Sequence, residues 1–122
     1  MLPGSPHGDV ADFAARHAPE GLLVYVEIAE AEAVMAARML YHLRLAGWFD
    51  RANAVLVGRS ADPPSGDFGQ HDALVHTLGD LPVPVLYDLD LGHIPPQLAI
   101  INGALATVEL TPETGTLIQR LI

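Results

Sequence analysis

Three short apolar runs constrain this chain more than anything else in it. Leu22-Leu23-Val24-Tyr25-Val26, Ala54-Val55-Leu56-Val57 and Val83 to Leu86 each have strand length, and no charged residue interrupts them. A strand with one wet face alternates apolar and polar residues. Continuous runs therefore belong to a sheet covered on both faces, as parallel strands are. The intervals between them read as helices. From about Ala31 to Ala46, Ala33, Ala36, Leu40 and Leu43 form one apolar stripe, Arg38 and His42 share another face, and Gly47 is the natural stop. A weaker helix is predicted from Gln70 to Leu78, closed by Gly79-Asp80. Strands alternating with helices give a parallel βαβαβ core with right-handed crossovers.

The flanks add smaller pieces. Asp9 is placed to cap a short helix through Phe13 and Ala14 to about Ala18, which Pro19 and Gly21 end. "ADPPSGDFG" is rich in Pro, Gly and Asp and reads as a loop. Asn102-Gly103 is a hairpin signal between two short strands. "LTPETGT" is a further turn before a last strand at Leu117-Ile118. The fold class is α/β, with antiparallel hairpins added to the parallel core.

Composition narrows the function. At 122 residues the chain has the length of one domain, and with 50% hydrophobic residues it can bury a core. Fifteen acids against six bases leave a net charge of −9, and no local basic cluster offsets it. A partner that tracks nucleic-acid phosphates or an anionic membrane is therefore not expected. The absence of cysteine rules out disulfides and thiolate metal sites and fits a reducing cytoplasm. "MLPGSPHGDV" lacks the basic and apolar regions of a cleavable leader, and no apolar run approaches the length of a membrane span.

In open α/β sheets, ligands gather beyond the carboxyl ends of the strands. The three runs place Glu27, then Gly58-Arg59-Ser60, then Asp88, Asp90 and His93 there. A carboxylate, a hydroxyl and an imidazole on one sheet edge would suit a hydrolytic relay. Asp88, Asp90 and His93 would alternatively suit an oxygen and nitrogen metal site, since alternation sends both aspartates to one side if the strand continues that far. DLDLGH nevertheless lacks the ligand count and spacing of a known metal motif. Each residue also has a plain reading: a solvated glutamate, a turn-forming serine in a Pro/Gly loop, a loop histidine. His71 and His76, five apart on a helix, point to different faces, and His7 and His17 read as surface residues.

The residues carry more than their spacing. The strand closed by Glu27, the helix segment Arg38-Met39-Leu40 with Leu43 and Ala46-Gly47, "NAVLVGR", "PVLYDLDLGHIPP" and the Gly103-Ala104 turn follow one another at intervals that resemble the C-terminal domain of the LD-carboxypeptidases. That serine peptidase family also contains the microcin C self-immunity peptidases. The resemblance runs from about Leu22 to Leu110. It implies a small mixed β/β/α swivelling-type domain over residues 21–122, preceded by a linker and short helix over 1–20. It also implies a Ser-His-Glu triad divided between two domains, with the glutamate at Glu27 and the histidine at His93. The nucleophilic serine belongs to an N-terminal domain, and no Gly-x-Ser-Asp elbow occurs in this chain. Ser60 falls where the family has an ordinary loop residue, and Ile28 stands where many relatives have an acid.

The implied activity is hydrolysis of L,D-peptide bonds, releasing terminal D-alanine from murein tetrapeptides during peptidoglycan recycling or acting on a peptide-nucleotide antibiotic. No cofactor or metal is implied. A cytoplasmic, homodimeric full-length enzyme is. The chain alone would then be inactive. The alternative is a non-catalytic interaction or dimerisation domain that keeps the fold.

Overall fold

The structure is a computed structural model and describes residues 3–121. A 3-10 turn over Pro6–Gly8 leads into α1 (Val10–His17), where the Asp9 carboxylate accepts the Asp12 N–H at 2.9 Å, the capping role its position predicts. The core then runs β1 (Leu22–Val26), α2 (Ala33–Leu45), β2 (Ala52–Gly58), α3 (Gln70–Leu78) and β3 (Val85–Leu89). All three strands are parallel, with β2 in the middle. Both crossovers step in the same direction across the sheet, so right-handed connections put α2 and α3 on one face, and the two helices do pack together.

That face is the core. Val24 and Val26 of β1 and Val55 and Val57 of β2 meet Ala36 and Leu40 of α2 and Ala73 and Leu78 of α3. The predicted helical stripe is the buried one: Ala33, Ala36 and Leu40 have no exposed surface, and Leu43 packs partly buried beside them. Gly47 sits at φ +76° with Gly47 N–H bonded to Arg44 O and Trp48 N–H to Leu43 O, so the helix ends in the left-handed turn that glycine allows. Its start is capped from elsewhere. In the Pro/Gly loop, Pro63 O accepts the Ala33 N–H at 3.2 Å and Ser65 Oγ accepts the Val34 N–H at 3.1 Å. The loop thereby satisfies donors that no residue of α2 itself can reach.

The C-terminal part departs from expectation in one respect. The antiparallel hairpin joins β4 (Leu105–Leu110) to β5 (Gly115–Arg120) through Thr111–Thr114. Asn102-Gly103 makes a tight turn, with Ala104 N–H bonded to Ile101 O and Gly103 at φ +80°, but no hairpin. A side chain occupies the place of a strand there. Gln119 accepts the Ile101 N–H at 2.7 Å and donates to Ala99 O at 2.9 Å, so the segment before the turn is tied to β5 without forming a ladder. Asn102 instead accepts the Tyr25 hydroxyl at 2.8 Å, linking this region to the sheet face opposite the helices.

Leu40 is the large side chain at the centre of the helix-to-sheet contact. Leu40→Ala should lower the unfolding free energy by about 2–5 kcal/mol, read as a reduced urea midpoint at unchanged slope.

Candidate functional site

The order β1-β2-β3 separates the two residues of interest by the width of a strand. Glu27 follows β1 directly, whereas His93 lies beyond β3. The chain between them has to pass over the end of β2. It begins with a bulge: Leu56 pairs with Leu86 and Gly58 with Leu89, so two steps on β2 oppose three on β3. Asp88 absorbs the extra residue at φ +60°, a conformation aspartate tolerates better than most. Leu91 then tucks in, 3% exposed, against Gly58. A Cβ on Gly58 would lie 2.7 Å from Leu91 O, so only glycine lets the loop cross there.

Gly92, at φ +98°, completes the turn, and a side chain at that position would overlap the Glu27 carboxyl group. The approach brings the His93 backbone N–H to 2.8 Å from Glu27 Oε1 and His93 Nδ1 to 2.5 Å from the same oxygen. Glu27 is mostly covered, with 23% of its side chain exposed, while the imidazole is 77% exposed. A carboxylate on Nδ1 places the ring proton there and leaves Nε2 as the basic nitrogen. Among the described residues nothing engages Nε2.

The hydrogen bond to Glu27 raises the His93 pKa above the ordinary histidine value. The charges of Glu27 and Glu30 add to this, and desolvation opposes it. A group raised in the folded state contributes stability that is complete below its unfolded pKa and is lost as pH rises through the folded value.

The other candidates sit elsewhere. Ser60 Oγ donates to Asp62 Oδ2 at 2.9 Å and accepts the Asp62 N–H at 3.1 Å, closing a local turn. Its bonds serve the loop and do not reach His93. Asp88 and Asp90 do turn to one side, but towards Arg59, whose Nε is 3.5 Å from Asp88 Oδ1 and whose Nη2 pairs with Asp90 Oδ1. His71 packs its ring on Tyr87 at 5.1 Å, His76 lies between Tyr41 and Phe68, and His17 packs on Phe13. Among the described residues no three histidine, aspartate or glutamate side chains converge as a metal site would require. Sequence reasoning placed Arg59 on this edge but missed its pairing with the two aspartates, and it missed the bulge. The signal available was an arginine straight after a buried strand, opposite two closely spaced aspartates.

With this geometry in place, the comparisons with known proteins decide the family. Residues 9–108 match the family described as the LD-carboxypeptidase C-terminal domain. The chain belongs to the LD-carboxypeptidases. It is 33% identical over 114 residues to a protein of Streptomyces coelicolor named as a candidate carboxypeptidase, covering 93% of this chain and 34% of that protein. The crystal structure of a muramoyltetrapeptide carboxypeptidase from Oxalobacter formigenes superposes with a TM-score of 0.69 at 20% identity, over 80% of this chain and 35% of that one. A microcin C7 self-immunity protein in complex with adenosine monophosphate is a looser match, with a TM-score of 0.48 at 20% identity over 56% of this chain and 21% of that one. The chain thus spans about a third of the length of the carboxypeptidases it resembles. The mixed α/β fold of the LD-carboxypeptidases is the one seen here.

Gly92→Ala should break the Glu27–His93 contact while leaving both residues unsubstituted. We expect a loss of about 1–3 kcal/mol from the left-handed backbone alone, and a His93 titration midpoint lowered towards that of a free histidine by displacement of Glu27. Urea unfolding and imidazole NMR titration measure the two effects. In the unaltered chain, His93 should make unfolding stability decline as pH rises past 6.5. Glu27→Gln should flatten that part of the profile; an unchanged profile would count against the pairing.

Proposed function

We propose that this chain is the glutamate- and histidine-bearing half of a serine LD-carboxypeptidase. The observation that carries the reading is the Glu27–His93 pair: an imidazole held through Nδ1, with Nε2 left for a partner. In this reading a second domain of the full-length enzyme brings a serine hydroxyl to Nε2. His93 takes the serine proton as Oγ attacks the peptide carbonyl, and Glu27 stabilises the imidazolium that forms. The proton then passes to the departing amine, and water releases the acyl group by the same route in reverse.

The substrate class is an L,D-peptide, with murein tetrapeptide and its terminal D-alanine as the leading case. A structural relative bearing the name muramoyltetrapeptide carboxypeptidase supports that choice. The full-length enzyme would be a cytoplasmic homodimer, and the chain alone would be inactive. The interaction-domain alternative keeps the fold and gives the pair no chemistry.

The test joins or mixes this chain with a family nucleophile domain and measures D-alanine release from a tetrapeptide. His93→Ala should lower kcat by roughly four to six powers of ten. Glu27→Gln, which favours the wrong tautomer, should cost on the order of ten-thousand-fold. The double variant should be little worse than His93→Ala, because members of one relay are not additive. Ser60→Ala should be nearly silent. A base must be neutral to act, so the acid limb of kcat/KM should lie above 6.5, following the raised His93 pKa. The chain alone should release nothing above blank. Retention of a tenth of the activity in His93→Ala would refute the role.

A further inference from the structure

Arg59 does more than neutralise two aspartates. It follows Gly58 at the end of β2, where the chain carrying His93 crosses over. Its side chain is 27% exposed, well covered for an arginine, while those of Asp88 and Asp90 are 71% and 50% exposed. The guanidinium reaches Asp88 through Nε and Asp90 through Nη2, and its Nη1 donates to Pro95 O at 3.4 Å. The Arg59 backbone N–H adds a bond to Leu89 O at 2.9 Å. One side chain therefore grips the His93 loop on both sides of the histidine. Two further bonds close the loop upon itself, Leu98 N–H to Asp90 O and Gln97 Nε2 to Gly92 O, both 2.6 Å, but neither ties it to the sheet.

We propose that Arg59 is the positioning residue of the site, a clamp that fixes the crossing loop on β2 and so holds the His93 imidazole on Glu27. Its value as catalytic support rests on the function proposed above; the clamp itself does not. A planar fork suits the task because it can engage two carboxylates and a carbonyl at once, which a lysine ammonium on a flexible stem cannot hold in the same way.

The signs of the possible effects separate a clamp from a charge. Removing a nearby cation would by itself raise the His93 pKa, since less positive charge then opposes protonation. Loosening the loop would lower it, because the contact with Glu27 is what raises it, with Glu30 adding a smaller share. The experiment is an NMR titration of the His93 ring in this chain and its variants, with urea unfolding alongside. Arg59→Ala should move the midpoint down towards the free-histidine value. Arg59→Lys, which keeps the charge and is the variant to use if alanine unfolds the chain, should also move it down. In a Glu27→Gln background, Arg59→Ala should produce no downward movement. A midpoint that stays put or rises in both single variants overturns the clamp, as does full restoration by lysine.

In the assembled enzyme, Arg59→Ala should lower kcat on the order of a hundredfold, the scale of a small misplacement of a catalytic group, with KM changed less than about threefold, the larger loss falling on kcat because the substrate contacts are intact. Lysine should recover little of it. The NMR readout involves neither serine nor substrate, so a failure of the proposed reaction leaves the clamp test decisive on its own.

Discussion

The site depends on a crossing. Neighbouring strands lie ~5 Å apart, so β1 and β3 are separated by ~10 Å with β2 between them. A histidine beyond β3 meets a glutamate at the end of β1 only if the backbone climbs over the end of β2. Three features of the sequence allow it. The bulge at Asp88 changes the exit direction of β3, Gly58 removes the Cβ that would block Leu91, and Gly92 lets the chain press onto the Glu27 carboxyl. Each departs from what an ideal strand or loop would choose, and together they make sense only as a path towards Glu27.

Such a path holds strained backbone, and the structure offsets the strain locally. Leu91 is buried beneath the loop, a transfer out of water worth roughly 1.5–3 kcal/mol for a fully buried leucine. That is comparable with the cost of about 1–3 kcal/mol for one non-glycine residue in the left-handed region. The loop is thus anchored by a hydrophobic plug, turned by glycines, and tied at its rim by charge. The exposed ion pairs there add little stability singly. Their use is directional, which is why a fork-shaped cation is the fitting residue.

Much of this fold can be read from the sequence, and the reason is simple. Ala52–Gly58 is a largely buried strand, Val24 and Val26 of β1 are buried beside it, and the Ala33, Ala36, Leu40 stripe is a buried helix face, so burial writes much of their pattern. Glu27 and His93 stand out because strand ends and a glycine-mounted histidine are local features. What stays hidden is non-local. Alternation cannot foresee the bulge, which depends on the partner register of β2 and β3. The Asn102-Gly103 signal is read correctly as a turn but not as a hairpin, since the outcome rests on Gln119, a side chain far along the sequence. The pairing of Arg59 is hidden for the same reason: its partners lie about thirty residues away on another element.

The exposure of the pair bears on how such a site would work. A carboxylate and imidazole in contact with water polarise each other weakly, because bulk solvent screens them; covering them strengthens the same contact several-fold. Glu27 is already largely covered by this chain, while the His93 ring is open. The carboxylate is thus shielded by the fold, and the imidazole stands open to solvent. If a second domain carries the nucleophile, closure delivers the serine, excludes water and strengthens the Glu27–His93 contact in one step. Closure would then add to a base strength that the Glu27 contact already holds above the ordinary histidine value. On the function proposed above, a loop so firmly braced ends in an exposed ring because the atom that Nε2 serves belongs to another domain.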